Sequence, residues 1–167
     1  AISLRLANVY GPSPTESLSQ DRGILSKITK KRFALKNLQI YGNGDYLRDY
    51  IYIDDVVNAF LHASVMDNDI LLNKNQISLN VASGKGTSVK EVFDLISHEV
   101  EKITGIRGDI ENVAWPEEVN EIEKRNYIGS IELIKSLTGW KPSVSLEEGI
   151  RLLVKHYSKE GIDNEVS

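Results

Sequence analysis

The sequence predicts an α/β fold, a small mixed sheet with about five helices, because strand-like and helix-like hydrophobic periods alternate along it. Ile2-Ser3-Leu4-Arg5-Leu6 and Ile77-Ser78-Leu79-Asn80-Val81 alternate apolar with polar side chains, the two-residue period of a half-buried strand. Ser88-Val89-Lys90-Glu91 has the spacing of a capping box, in which the serine and glutamate side chains each take up the other residue's free backbone N–H. It opens a helix to about Thr104, with Val89, Val92, Phe93, Ile96 and Val100 inward and Gly105 at its end.

In chain order, the first strand is broken by Asn8-Val9-Tyr10-Gly11-Pro12 and Ser13-Pro14. Asn8 lies just past the strand, where an Asn either closes a turn or hydrogen-bonds a phosphate. Between residues 23 and 36, Ile24, Leu25, Ile28, Phe33 and Leu35 fall at helical spacing; Lys27, Lys30, Lys31 and Arg32 between them read as a solvated face. Leu38-Gln39-Ile40-Tyr41 is a short strand, Gly42-Asn43-Gly44 a turn, and a second strand of alternating Tyr and Ile follows. Asp54 or Asp55 then caps a helix whose apolar stripe is Val56, Val57, Phe60, Leu61 and Val65.

Asp67-Asn68-Asp69 and Asn73-Lys74-Asn75 punctuate the chain before the Ile77 strand. Residues 110–115 read as an edge strand closed by Pro116, and the acidic run 117–123 as exposed. Ser130 is expected to cap a helix through Ile131, Ile134 and Leu137 that stops at Gly139-Trp140-Lys141-Pro142. Ser145-Leu146-Glu147-Glu148 is a second capping box, opening a helix with Leu146, Ile150, Leu153, Val154 and Tyr157 on one side. Residues 1–160 are expected to form the folded unit and 161–167 a frayed tail.

Lys+Arg 20 against Asp+Glu 24 gives a formal charge of −4 with no basic block, which argues against nucleic acid or an anionic membrane as partner. There is no cysteine, hence no disulfide and no thiolate metal site. No apolar run approaches the roughly 18 residues of a membrane helix and no signal-peptide pattern opens the sequence, so a cytoplasmic location is expected. His62, His98 and His156 have no ligand-like spacing, and no metal site is expected. Ala82-Ser83-Gly84-Lys85-Gly86-Thr87 lacks the spacing of a phosphate-binding P-loop and reads as the lead into the Ser88 cap. The sequence holds no Gly-x-Gly-x-x-Gly turn, no Gly-x-Ser-x-Gly elbow, and no Tyr with a Lys four places later.

Arg48 stands where the glycine turn hands over to the second strand. Its planar guanidinium matches phosphate oxygens, and a glycine turn lets backbone approach a ligand closely. The alternative is a surface pair with Asp45 or Asp49.

Leu4-Arg5-Leu6-Ala7-Asn8-Val9-Tyr10-Gly11-Pro12, Ile40-Tyr41-Gly42-Asn43-Gly44, Arg48-Asp49-Tyr50-Ile51-Tyr52-Ile53-Asp54-Asp55-Val56, Asn80-Val81-Ala82-Ser83-Gly84 and Leu137-Thr138-Gly139-Trp140-Lys141-Pro142 with Ser145-Leu146-Glu147-Glu148-Gly149 come in a telling order and spacing. Together they resemble the C-terminal half of the extended short-chain dehydrogenase/reductase family, in particular the NAD-dependent nucleotide-sugar epimerases and dehydratases such as UDP-glucose 4-epimerase. The resemblance implies the C-terminal part of an extended Rossmann-type fold. It implies that Asn8 holds a substrate diphosphate, that Tyr41 lines the nucleotide base and that Arg48 clamps the diphosphate.

Near Gly23-Ile24 some relatives carry an Asn that touches the nucleotide, where Gly23 offers only backbone. Many relatives place a ribose-binding Asp where this sequence has Ser130. Arg125 is either a second phosphate ligand or a solvated arginine beside Glu121 and Glu123. The family's glycine-rich cofactor turn, catalytic Ser/Thr and Tyr-x-x-x-Lys pair have no counterpart here, so no catalytic or cofactor-binding residue is assigned. NAD is expected for the full-length family enzyme alone. The implied partner is a nucleotide-diphosphate sugar, gripped without turnover by this chain on its own. The rival reading is a non-catalytic binding or interaction module. The first strand would otherwise lack its family neighbours, so either a homo-oligomer or a missing N-terminal half is expected beside it.

Overall fold

The computed structural model describes residues 1–12, 23–66, 76–118 and 120–164, with side chains of the last helix placed as far as Lys159. Its elements are β1 (Ile2–Leu6), β2 (Asn8–Tyr10), α1 (Ile24–Phe33), β3 (Leu38–Tyr41), β4 (Leu47–Arg48), β5 (Tyr50–Tyr52), α2 (Ile53–Ser64), β6 (Ile77–Val81), β7 (Thr87–Ser88), α3 (Val89–Thr104), β8 (Ile110–Val113), a 3₁₀ turn (Glu121–Lys124), α4 (Glu132–Thr138) and α5 (Leu146–Asn164). The loop at Ser13-Pro14, the turns at 67–69 and 73–75, and residues 165–167 lie outside the described residues.

The fold is α/β, and its strands pair two by two: β1 with β6, β2 with β5 and β3 with β8 in parallel, β4 with β7 antiparallel. Strands that flank the Gly42-Asn43-Gly44 turn do not pair with each other, so the turn redirects the chain between separate ladders. β5 has Tyr50, Ile51 and Tyr52 all buried, as a parallel strand covered on both faces must. Tyr50 and Tyr52 enter a core with α1, α3 and α5, while Ile51 enters a second core built from β1, β6, α2 and Trp140. This short strand is thus the partition between two helical layers.

The capping box of α3 forms with both of its hydrogen bonds, and Val89, Val92, Phe93, Ile96 and Val100 are buried. In α5 only half of the expected box is made. Ser145 Oγ accepts from Glu148 N (3.2 Å), but the Glu148 carboxylate turns to Arg151 (2.6 Å). Glu147 hydrogen-bonds its own backbone N–H and then the Ser145 side chain, which hold its carboxyl below the usual range.

Several local expectations are corrected. Arg32 is not solvated: it is 2 % exposed and donates to Ser97 Oγ (2.8 Å), Asp109 O (2.8 Å) and Lys36 O (3.3 Å), tying α1 to α3 and to the start of β8. Leu35 lies past the end of α1, exposed, with φ 54. Neither Asp54 nor Asp55 caps α2. Tyr52 occupies the N-cap without a side-chain bond, and the Asp55 carboxylate is turned inward. Of the predicted α2 stripe only Val56 is buried; Val57, Phe60, Leu61 and Val65 face outward, while Ala59 and Ala63 pack. Small side chains let this helix sit close to β1 and β2, which rotates its larger residues away. Ser130 does not cap α4 either, since Ile131 holds the N-cap position with no side-chain bond.

Candidate functional site

The site is built where β4 meets the segment 121–130. Gly42 has φ 66, and a Cβ there would lie 2.7 Å from Trp115 Nε1, so glycine serves both the turn and the indole packed on it. Beyond the turn, β4 is laced to the segment: Leu47 N donates to Asn126 Oδ1 (2.7 Å), Tyr127 N to Leu47 O (3.0 Å) and Gly129 N to Asp49 Oδ2 (3.1 Å). Between these rungs the Arg48 guanidinium reaches into the segment. It donates to the carbonyls of Arg125, Leu47 (3.2 Å) and Glu123 (2.5 Å), with the Glu123 carboxylate 3.9 Å away.

Neither surface pair considered for Arg48 forms. Asp45 takes Asn43 Nδ2 (2.6 Å), and Asp49 is fully buried with its carboxylate given to three backbone N–H groups and the Ser83 hydroxyl. Asp49 Oδ1 accepts from Ser83 N and Oγ (both 2.7 Å), and Oδ2 from Gly84 N (3.0 Å) and Gly129 N. Its carbonyl accepts both the backbone N–H (3.1 Å) and the side-chain Nδ2 (2.9 Å) of Asn8. A buried carboxylate costs several kcal/mol unless fully hydrogen-bonded, and these four donors supply that compensation.

Asn8, Arg48 and Arg125 line one open cleft of about 290 Å³, together with Glu123, Tyr127 and the Leu6-Ala7 backbone end of β1. The Glu121 carboxylate pairs with Lys124 (2.7 Å), and the Arg125 guanidinium has no carboxylate partner among the described residues. Two guanidinium groups against one carboxylate leave the cleft positive. Tyr41 lies outside it, half exposed and stacked on Trp115 with ring centroids 5.3 Å apart. A run of rings connects the two places: Arg48 Cζ sits 5.1 Å over Tyr46, and Tyr46 lies 5.5 Å from Trp115. Gly23 caps α1 without any side-chain bond, and Ile24 is exposed at that helix end. Ser130 is exposed and its carbonyl accepts Asn80 Nδ2 (3.2 Å).

Sequence reasoning missed Asp49, Trp115, Tyr46 and Tyr127. The Trp before Pro116 was the available signal for an aromatic ending β8; nothing in an Arg-Asp pair tells a buried carboxylate from a solvated one. Among the described residues no group of His, Asp or Glu is placed to hold a metal, and no helix is long and apolar enough to cross a membrane.

Known proteins resemble this chain along nearly its whole length. A UDP-glucose 4-epimerase-like protein of Methanocaldococcus jannaschii is 34% identical over 151 residues, covering 90% of this chain and 43% of that protein. The UDP-glucose 4-epimerase of Thermotoga maritima, solved with UDP-glucose, superposes with a TM-score of 0.75 at 32% identity, covering 95% of this chain and 46% of that one. An epimerase of Methanothermobacter thermautotrophicus shares the fold, with a TM-score of 0.77 at 21% identity over 98% of this chain and 45% of that one. The chain thus spans less than half the length of these relatives. The family model described as GDP-mannose 4,6 dehydratase matches residues 1–153, and the chain belongs to that family of NAD-dependent nucleotide-sugar epimerases and dehydratases.

Proposed function

We propose that this chain grips the diphosphate and nucleoside of a nucleotide sugar as the C-terminal, substrate-binding part of an NAD-dependent epimerase or dehydratase. The observation that carries the reading is the convergence of Asn8, Arg48 and Arg125, from three separate stretches, on one positive cleft. A diphosphate there takes the place of the Glu123 carboxylate, which stands at the far limit of an ion pair and is 61% exposed. The ring series from Tyr46 through Trp115 to Tyr41 offers flat apolar faces to a base. Gly23 and Ile24 at the start of α1, and Ser130 beyond the cleft segment, are proposed as backbone and ribose contacts. No acidic side chain stands in the first turn of α1.

No residue of this chain is assigned to NAD, because the sequence holds no Gly-x-Gly-x-x-Gly turn. A dinucleotide diphosphate sits on a free helix N-terminus reached through a glycine-rich turn. Here α3 and α5 have Glu91 and Glu147 at that position, each hydrogen-bonded to a serine, and α2 carries Asp54 and Asp55, while α1, free of acids in its first turn, has no glycine-rich turn before it in the sequence. No hydride step is assigned to this chain, which is expected to give no product from UDP-glucose or dTDP-glucose with added NAD. The surface that would meet a cofactor-binding half is at β1, which is hydrogen-bonded on one side only among the described residues. Ile2 and Leu4 of that strand line a groove with Phe60. That half is either the remainder of a longer chain, a separate chain or a second copy.

Calorimetric titration with UDP tests the grip. The chain is expected to bind, and Arg48→Ala and Asn8→Ala to weaken binding, the arginine by about ten- to a hundredfold because it removes charge-assisted hydrogen bonds. No heat with UDP, dTDP or CDP overturns the assignment and leaves the interaction module as the better reading.

A further inference from the structure

We infer that Asp49 is the positioning residue of this cleft: its buried carboxylate holds the segment that aims Arg48, and its main-chain carbonyl holds Asn8, so that both side chains meet an anionic ligand. The inference rests on the reading of the cleft as a nucleoside-diphosphate site. Three walls of the cleft come from chain segments with no covalent reason to lie together, namely the β1–β2 junction, β4 and the segment 121–130. All three are fastened at Asp49. Its carbonyl holds Asn8 by main chain and side chain. Its Oδ2 holds Gly129, which anchors the segment whose carbonyls at 123 and 125 aim the Arg48 guanidinium. Its Oδ1 is filled by Ser83, which fixes the carboxylate's own rotamer. The segment can approach because residue 129 is a glycine. A Cβ there would lie 2.5 Å from Ala82 Cβ.

The chain contains its own control. Asp55 is equally buried and uses the same device, with Oδ1 accepting Ser143 N (2.9 Å) and Oγ (2.7 Å) and Oδ2 accepting Val144 N (3.0 Å). What it fastens is the stretch from Trp140 to Val144, which is no part of the cleft. An Asn at either site keeps the shape but turns an NH₂ toward N–H donors, so one or two hydrogen bonds are replaced by donor–donor clashes. Both variants lose comparable stability. Only Asp49→Asn moves the guanidinium.

The experiment is a titration of the chain and its variants with UDP and with uridine, at a temperature where near-ultraviolet circular dichroism shows each variant folded. Asp49→Asn is expected to weaken UDP at least about tenfold and uridine far less, as Arg48→Ala does, while Asp55→Asn keeps the affinity of the parent. In the Arg48→Ala background, Asp49→Asn is expected to cost little more, because the two act as one unit. If Asp49→Asn does not fold, Gly129→Ala serves: it lifts the segment off Ala82 while leaving Ser83 and Gly84 on the carboxylate, and the same selective loss of UDP is expected. Equal losses in Asp49→Asn and Asp55→Asn, or full additivity with Arg48→Ala, overturn the positioning role. So does a Gly129→Ala variant that binds UDP like the parent. Failure of the parent chain to bind UDP instead removes the site reading on which the inference stands.

Discussion

Two arginines show what a single residue's chemistry settles and what it leaves to its surroundings. Arg48 gives its donors to main-chain carbonyls and Arg32 to two carbonyls and the Ser97 hydroxyl, yet Arg32 is sealed between α1 and α3 while Arg48 borders an open cleft. Arg32→Ala is expected to cost about 3 kcal/mol in chemical denaturation, since it strands the Asp109 carbonyl and empties a packed site. Arg48→Ala is expected to cost UDP affinity rather than stability. At this scale the sequence was legible where a residue's role depends on its neighbours in the chain. The place of Arg48 in the strand after a glycine turn was read, whereas the burial of Arg32 and Asp49 was not. Their burial is decided by Ser97, Asp109, Ser83 and Gly129, residues that no local pattern connects to them.

At the scale of the element, local hydrogen bonds made α3 readable from end to end. Ser88 Oγ accepts from Glu91 N (3.1 Å), and Glu91 Oε2 accepts from Ser88 N (2.9 Å) and Oγ (2.7 Å). The bond from the Ser88 side chain, and then that from its backbone, hold the Glu91 carboxyl below the usual range. A depressed folded-state value gives stability that is present above the unfolded-state value and is lost as pH falls through the folded one. Ser88→Ala is therefore expected to cost about 1 kcal/mol at pH 7, and the gap to the parent to narrow as pH is lowered toward 3, followed by urea denaturation at each pH. α2 resisted the same reading. Its spacing was right for a helix, but which face turns inward was set by how closely β1 and β2 admit it, and small Ala59 and Ala63 won over Phe60 and Leu61.

For the whole molecule, the sequence carried the class and the number of helices, but not the pairing of strands. Parallel partners are chosen by register between distant segments, and a two-residue period says only that a strand has two faces. Residues 38–41 and 47–52, read as neighbours across a turn, belong to three different ladders. The aromatic run and the cleft inherit this dispersion. Tyr41 and Trp115 meet only because β3 pairs with β8, and Arg48 meets Arg125 only because the segment 121–130 returns along β4.

That dispersion makes the chain resistant to being halved. Scission between α2 and β6 would divide β1 from β6, β3 from β8 and β4 from β7, leaving β2 and β5 as the lone pair kept on one piece. Peptides 1–66 and 76–167, prepared apart, are expected to show coil-like far-ultraviolet spectra and to recover helical ellipticity when mixed at equal concentration. Each piece serves as template for the other, so neither inherits a foldable share.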